Sequence, residues 1–282
     1  MEVVSTIAGL RERLGNERAI AFVPTMGNLH EGHLDLMRLA RETVAREQGG
    51  CVVASIFVNP LQFGVNEDFD RYPRTLETDF EKLKDFADVV FAPSVNEMYP
   101  SQQTVFVEPP PIANELCGAS RPGHFRGMAT VVLKLLNFVQ PQAAVFGKKD
   151  YQQLHIIRQL VAQLNLPVRI IGGETVRAAD GLALSSRNQY LSEAERREAT
   201  TLYQTLQGIK KAILQGERDF EQLQQQAVKS LADRGWRVEY VEVRNQSDLQ
   251  HADFSQRALV ILAAARLGDT RLMDNIEVHL VG

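Results

Sequence analysis

Short apolar runs alternate with stretches of helical periodicity over roughly the first 175 residues of the chain. The apolar runs predict strands at residues 19–23, 51–58, 88–91, 143–146 and 168–171. The stretches between them, in which apolar side chains recur at helical spacing, predict helices at residues 33–48, 75–86, 127–139 and 151–164. Continuous apolar strands that alternate with helices are typical of a parallel sheet covered on both faces. The pattern therefore predicts an α/β fold with a Rossmann-like sheet, which binds ligands beyond the carboxyl ends of its strands.

The pattern changes after residue 175, where charged amphipathic stretches replace the alternation of apolar runs and helical stretches. They predict helices at residues 192–214 and 220–234, followed by strands at 236–243, 258–267 and 271–280. We therefore expect two domains: a Rossmann-like domain over residues 1–175, which binds the ligands, and a smaller α+β domain over residues 176–282.

Composition and charge narrow the classes of protein. The 282 residues carry a formal charge of −4, so no general positive field is available for a nucleic-acid duplex. The longest apolar runs, such as residues 258–265, are shorter than the ~20 residues that cross a bilayer. The N-terminal residues do not resemble a secretory signal, and Cys51 and Cys117 fit neither a disulfide framework nor a metal site. We expect a cytoplasmic protein without nucleic-acid or membrane partners.

The strongest local signal is Pro-Thr-Met-Gly-Asn-Leu-His-Glu-Gly-His at residues 24–33, between the first predicted strand and helix. Gly27 and Gly32 allow a ligand to approach the backbone closely, and a helix N-terminus attracts anions. His30 and His33, three residues apart, could both donate to a phosphate and stabilise its developing charge. The alternatives are a metal-binding pair or two ordinary polar loop residues.

Two glutamines indicate a polar pocket at the same edge. In the helix predicted for residues 151–164, Gln153 shares a face with Ile157 and Leu160, so its amide needs a partner. That partner is either a nearby backbone group or a ligand hydroxyl or carboxylate. Gln62 follows the second predicted strand, again at the ligand-facing end. His155 falls on the opposite face of the helix, where we expect it to be solvated.

Two further segments fit phosphate binding but are not specific alone. Gly-Lys-Lys-Asp at residues 147–150 either caps a helix beside solvated lysines or offers charge to a phosphate and a carboxylate to a ribose. Ser-Ser-Arg at residues 185–187 is either a surface turn or a set of triphosphate donors.

Ordered motifs give these segments a family context. His-x-Gly-His after the first strand resembles the signature of nucleotidylyltransferases and class I aminoacyl-tRNA synthetases. Seven blocks then occur in order, at residues 24–27, 55–64, 72–75, 121–127, 146–153, 180–188 and 266–275. Through these blocks the chain resembles the pantoate–β-alanine ligase family over almost its whole length.

The resemblance implies ATP-dependent condensation of pantoate with β-alanine through a pantoyl adenylate, with release of AMP and pyrophosphate, by a homodimer that uses Mg²⁺. It implies that His33 leads catalysis, assisted by His30 and Lys149. The implied ATP contacts are Met26, Gly27, Asn28, Leu29, His30, Glu31, Gly32, His33, Gly147, Lys148, Lys149, Asp150, Val176, Leu184, Ser185, Ser186 and Arg187. The implied substrate contacts are Pro24, Met26, Asn59, Gln62, Tyr72, His124 and Gln153.

Some details stay open at this stage. The family often has glutamate at position 148, and we expect Lys148 to point away from the ligand. His124 either lines the pocket or caps the next helix, and Asp79 lies either near Mg²⁺ or on a solvated helix face. The protein ligands of Mg²⁺ are not identified. The competing functions are a nucleotidylyltransferase that keeps the nucleotide in its product and a catalytically silent nucleotide- or tRNA-binding module.

Overall fold

A parallel sheet of six strands forms the larger layer of the molecule. The computed structural model describes residues 1–46, 49–64, 69, 72–253 and 255–280. The strands are β1 (Glu2–Val4), β2 (Ile20–Thr25), β3 (Cys51–Ile56), β4 (Val89–Phe91), β5 (Ala143–Gly147) and β6 (Arg169–Gly173). Their order is β1-β4-β3-β2-β5-β6, and every neighbouring pair is parallel. The predicted covered parallel sheet is confirmed.

Helices cover both faces of this sheet. They are α1 (Ile7–Leu14), α2 (Glu31–Ala45), α3 (Leu76–Leu83), α4 (Val95–Met98), α5 (Cys117–Ser120), α6 (His124–Val139) and α7 (Tyr151–Gln163). One face of the sheet packs with α1, α6 and α7, and the other packs with α2 and α3. Neighbouring residues of β2 show the alternation, because Phe22 belongs to the first core and Val23 to the second. Burial on both faces explains why these strands are continuously apolar.

A second sheet follows, with its own helices and core. Its antiparallel strands β7 (Arg237–Asn245), β8 (Ala258–Leu267) and β9 (Thr270–His279) lie in chain order. The helices α8 (Glu193–Glu198), α9 (Thr200–Leu214) and α10 (Phe220–Asp233) precede them. A core that includes Leu206, Leu231 and Trp236 lies entirely after residue 175, whereas Val260 and Leu262 pack into the core of the first sheet. The division between residues 175 and 176 stays a prediction.

The pattern missed the first elements of the chain. Strand β1 pairs only with β4, at the edge of the sheet, and its apolar part is two valines long. Helix α6 begins at His124, before the predicted residue 127, and α2 ends at Ala45. The last residues of that predicted helix, 47 and 48, lie outside the described residues. In the ranges described above, no helix is both long and apolar enough to cross a membrane.

A glycine allows α6 to reach the loop that carries Gln62. That loop contains a single turn of 3-10 helix at Pro60–Gln62. A Cβ atom at Gly127 would overlap the carbonyl group of Leu61 and lie 2.9 Å from the backbone nitrogen of Gln62. Because both obstacles are backbone atoms, no rotamer change relieves the clash, and this helix–loop contact requires glycine.

We expect Gly127→Ala to lower the free energy of unfolding by about 1–3 kcal/mol, the usual cost of overpacking. Urea unfolding monitored by circular dichroism measures it. Gly208→Ala is the matched control, because Gly208 lies in α9 and nothing is within 4 Å of its added Cβ. That change should stabilise the helix by roughly 0.5–1 kcal/mol. Equal unfolding curves for the two variants would contradict the close contact.

Candidate active site

A buried carboxylate shapes the loop between β2 and α2. Asp79 of α3 is fully buried and accepts hydrogen bonds from the backbone N–H groups of Asn28 and Leu29, each at 2.8 Å. Thr75 Oγ1 also donates to Asp79, at 3.0 Å. Gly27 and Asn28 have φ values of 80° and 50°, a left-handed course that these bonds hold in place. The solvated helix face expected as one alternative for Asp79 is therefore wrong, because the side chain is buried and its oxygens bind the loop.

The two histidines at the end of this loop each accept a hydrogen bond from the backbone at the start of α2. His30 Nδ1 accepts from the backbone N–H of Gly32, and His33 Nδ1 accepts from the backbone N–H of His30, each at 3.2 Å. The ring centroids are 4.1 Å apart. An accepting Nδ1 carries no proton, so a neutral ring must carry its proton on Nε2. The arrangement therefore presents two Nε2–H donors on one side of the helix N-terminus.

Burial keeps both imidazoles neutral. Desolvation and the nearby Lys149 charge lower the pKa of His30 to about 4. Desolvation and the neighbouring His30 lower the pKa of His33 to about 3. At neutral pH the pair thus offers polarised N–H groups without net charge, which fits donation to an anion rather than ion pairing.

The rings open into a cavity of about 240 Å³ at the carboxyl ends of β2 and β5. Its apolar wall is formed by Pro24, Met26, Leu36, Phe57, Met128, Val131, Val132, Leu135 and Phe146. Its polar lining includes Thr25, His30, His33, Gln62, Tyr72, Arg121, His124, Lys149, Asp150, Gln153, Glu174, Ser185, Ser186 and Arg187. The cavity therefore has an apolar wall beside converging amides, imidazoles and cations.

A hydrogen bond from Asn59 orients the side chain of Gln62. Asn59 Nδ2 donates to Gln62 Oε1 at 3.0 Å, and Asn59 Oδ1 accepts from Tyr99 Oη at 2.8 Å. Asn59 is 1% exposed and does not line the cavity, so its predicted role as a pocket residue is corrected to an orienting one. The Gln62 oxygen already accepts one hydrogen bond, so its NH₂ group is the part with its full bonding capacity left for a ligand.

His124 lines the cavity and is the first residue of α6, but it does not cap that helix, because the N-cap is Gly123 and no side chain makes a capping bond. Its Nδ1 lies 2.9 Å from the Gln62 carbonyl oxygen, and its Nε2 lies 3.1 Å from Arg121 Nη1. A carbonyl accepts and a guanidinium donates, so His124 is neutral with its proton on Nδ1. The histidine links the Gln62 loop to Arg121, a cavity residue that was not among the predicted site residues.

The helix after Asp150 places one glutamine in the cavity and buries another. Gln153 lines the cavity, and its amide makes no hydrogen bond within the described part of the chain. Gln152, in contrast, accepts from the backbone of Cys117 and donates to the carbonyls of Ile112 and Glu115. The sequence left open whether the Gln153 amide bonds to nearby backbone groups. The neighbouring Gln152 makes such bonds instead.

The expectation that His155 is solvated is wrong. It is 7% exposed, and its Nε2 lies 2.9 Å from Gln159 Nε2. The helical pattern assumed that one face of α7 meets water, but the second sheet also packs beside this helix, as Tyr151 shows by donating to Glu277 of β9. Contacts between distant parts of the chain are not visible in the periodicity of a single helix.

Three charged groups lie at the other end of the cavity. Lys149 Nζ is 4.0 Å from Asp150 Oδ2, and Arg187 lies with its guanidinium carbon 5.9 Å from the Tyr72 ring centroid. Desolvation opposes ionisation of Asp150, but the charges of Lys149 and Arg187 outweigh it and keep the Asp150 pKa below its ordinary value. The Asp150 side chain makes no capping bond to α7, so it does not act as the predicted cap.

The segment at Ser185–Arg187 closes over the histidine loop. Ser186 Oγ donates to the carbonyl of Asn28 at 2.9 Å, and Ser185 Oγ accepts from the backbone of Arg187 at 3.3 Å. Val176 and Leu184 line the same cavity. Residues after β6 thus complete a site that begins at β2.

Several of the predicted ATP contacts do not line the cavity: Gly27, Asn28, Leu29, Glu31 and Lys148. Glu31 is exposed and pairs with Arg38 at 2.7 Å. Lys148 Nζ pairs with Glu174 at 2.6 Å and with Glu277 at 3.0 Å, so its side chain points away, as expected. A nucleotide contact by Lys148 would have to come from its main chain.

The donor set offers no protein cage for a divalent cation. In the described ranges, no group of three His, Cys, Asp or Glu side chains converges as metal ligands would. Asp150 and Glu174 are the carboxylates among the lining residues, and Glu174 already pairs with Lys148. Asp79 is occupied by backbone N–H groups. Any Mg²⁺ would be held chiefly by phosphate oxygens and water, as is usual for this ion at nucleotides.

A covered parallel sheet with neutral imidazole donors, cations and amides at its carboxyl edge defines an α/β enzyme that acts on anionic substrates. The sequence profile of the pantoate–β-alanine ligase family matches residues 2–277. The pantothenate synthetase of Methylobacillus flagellatus is 57% identical, over 98% of each chain. That of Nitrosospira multiformis is 58% identical, over 99% of this chain and 98% of the other. The chain belongs to the pantoate–β-alanine ligase family.

Solved structures share the fold at full length. The pantothenate synthetase of Thermus thermophilus has a TM-score of 0.92 and 43% identity, covering 99% of this chain and 100% of that one. The pantoate-β-alanine ligase of Francisella tularensis, described as complexed with β-γ ATP and β-alanine, has a TM-score of 0.79. It is 35% identical, over 98% of this chain and 97% of the other.

We expect His30 and His33 to stay neutral down to about pH 5, because their pKa values are about 4 and about 3. Unfolded histidines take up protons near pH 6.5, so these two lower the folding stability as the pH falls from about 6.5 towards 4. Two-dimensional ¹H–¹⁵N spectra of the ring nitrogens from pH 7.5 to 4.5 report each ring's proton directly. A ring assigned to either residue that becomes doubly protonated near pH 6.5 would contradict this.

Proposed function

We propose that this enzyme condenses pantoate with β-alanine by way of a pantoyl adenylate, with ATP as the activating substrate. The observation that carries the proposal is a single cavity that brings His30 and His33 together with the amides of Gln62 and Gln153, an apolar wall, and the cations Lys149 and Arg187. The bound ATP and β-alanine of the Francisella tularensis relative support the same substrates here. An acid and a nucleotide that share this cavity would meet at the imidazoles.

In the first step, a pantoate carboxylate oxygen attacks the α-phosphorus of ATP, and the bond from that phosphorus to the bridging oxygen of pyrophosphate breaks. The Nε2–H groups of His33 and His30 donate to the phosphate under attack, where negative charge develops. Lys149 and Arg187 stabilise the phosphates, and Ser185 and Ser186 join them in holding the departing pyrophosphate.

In the second step, the nitrogen of β-alanine attacks the acyl carbon, the bond from that carbon to AMP breaks, and the amine gives up a proton. Oxide does not leave from a carboxylate, whereas AMP leaves readily, so the adenylate makes the amide bond accessible. The Gln62 and Gln153 amides bind pantoate's hydroxyls or carboxylate without a tight ion pair. A neutral partner leaves the carboxylate nucleophilic, whereas an arginine there would lower its reactivity.

The remaining assignments are those that family membership favours. We propose that the enzyme works as a homodimer in the cytoplasm and that Mg²⁺ accompanies ATP, held by its phosphates and water. Val176 and Leu184 would contact the nucleoside, and Pro24, Met26, Tyr72 and His124 would line the pantoate pocket, as their places in the cavity support. Residues 1–175 and 176–282 would form the two domains.

We expect His33→Asn to lower the first-step rate on the order of 10²–10³-fold, the effect of removing one transition-state donor. Asparagine is shorter but can still accept from the backbone of His30, so the loss isolates the Nε2–H group. Pantoate-dependent exchange of labelled pyrophosphate into ATP, without β-alanine, measures the step.

His155→Asn is the matched control, since His155 lies outside the cavity. Exchange by that variant should stay within about twofold of the parent once the folded fraction is matched. Near-normal exchange by His33→Asn would remove His33 from its role. A reaction that forms a nucleotide-containing final product, with no free AMP after β-alanine is added, would favour the nucleotidylyltransferase alternative.

We expect Gln153→Ala to raise KM for pantoate about 3-fold to 10-fold, the value of one neutral hydrogen bond. The KM for ATP should change much less, because the Gln153 amide is proposed to bind pantoate. Gln163→Ala is the control on the same helix, where the side chain is exposed. Steady-state kinetics in which ATP use suffers more than pantoate use would contradict this placement.

A further inference from the structure

The last strand of the second sheet reaches the lysine turn of the active site through one buried amide. Asn275 of β9 is 6% exposed, and its Nδ2 donates to the carbonyl of Lys148 and to that of Lys149, each at 2.9 Å. An amide nitrogen has two hydrogens, so both are used on this turn. The two carbonyls belong to Lys148–Asp150, a single turn of 3-10 helix between β5 and α7.

Asn275 is itself held by a charged pair. Arg177 contacts Asp274 with both of its Nη atoms, at 2.6 and 2.8 Å, and Asp274 is 5% exposed. Asp274 also accepts from the backbone N–H of Asn275, and Arg177 Nη2 donates to the Asn275 carbonyl at 3.2 Å. The centroid of the Tyr203 ring lies 3.7 Å from the guanidinium carbon of Arg177. Bidentate, stacked arginine pairs of this type are geometrically restrictive.

The same contacts connect two segments of the cavity. Arg177 directly follows Val176, which lines the cavity, and Lys149 contributes its cationic end. The paired strands β5 and β6 hold these segments together as far as Gly147 and Gly173. Beyond the strand ends, the contacts of Asp274 and Asn275 continue this link from β9.

We propose that Asn275 is a positioning residue for the proposed ATP-dependent step, and that it acts by fixing the backbone of Lys149. The proposal rests on the assigned role of Lys149 in ATP use. Lysine is a flexible point charge, so the direction of its ammonium group depends on the backbone from which it extends. A displacement of about 1 Å at a reacting group can cost on the order of 100-fold in rate.

A double-mutant cycle in the pyrophosphate-exchange assay tests the proposal. We expect Asn275→Ala to lower kcat/KM for ATP roughly 10-fold to 100-fold while KM for pantoate changes less than about threefold. In the Lys149→Ala background the same change should cost less than about twofold, because the group that it positions is already gone. Asn275→Asp, which sets a carboxylate against two carbonyls, should be at least as impaired as Asn275→Ala.

The control is Asn245→Ala, since Asn245 lies in β7 of the same sheet and its amide donates to Ser247 instead. It should retain normal ATP kinetics. An additive loss in the double variant, an equal loss for pantoate and ATP, or no loss in a folded Asn275→Ala would each overturn the proposal. If Lys149→Ala alone uses ATP normally, the proposed role of Lys149 is wrong as well, so the two failures are distinguishable.

Discussion

The hydrogen bonds from two consecutive backbone N–H groups to a buried carboxylate determine the geometry of this site. By binding the N–H groups of Asn28 and Leu29, Asp79 holds the loop that turns through the left-handed residues Gly27 and Asn28 between β2 and α2. A buried carboxylate is costly unless its oxygens are satisfied, and here three donors satisfy it. Once the loop is fixed, the reciprocal bonds of His30 and His33 fix both rings. The two proposed donors therefore depend on a residue that does not line the cavity.

In this site the imidazole donors are neutral, and the positive charge is carried by other side chains. Imidazoles that are desolvated remain neutral and can approach a phosphate without repelling Lys149, whereas imidazolium rings beside that lysine would add to a local cationic excess. The cations and the amides that line the cavity are the groups proposed to bind the triphosphate and pantoate. The apolar wall from β2, α6 and β5 lowers the local dielectric and strengthens each of these interactions.

The sequence predicted what is local and missed what joins distant segments. The covered sheet and the position of His30, His33 and Gln62 at its carboxyl edge could be predicted from periodicity, glycines and strand ends. The contacts of Asp79, Asn59 and Asn275 could not, because each involves a residue remote in sequence, such as Tyr99 for Asn59. The prediction for His155 was wrong for the same reason, since helical periodicity cannot show that the second sheet packs beside α7. The one available signal was an acid or amide at a strand or helix end without an obvious local partner.

Late elements of the chain complete this cavity, and that order matters during synthesis. The histidine loop is made within the first 33 residues, whereas Ser185–Arg187 follow much later and Asn275 belongs to β9. A growing polypeptide on the ribosome would therefore carry His30 and His33 long before Ser185–Arg187 and Asn275 are synthesised. An unfinished chain therefore lacks residues that line the cavity and residues that support it.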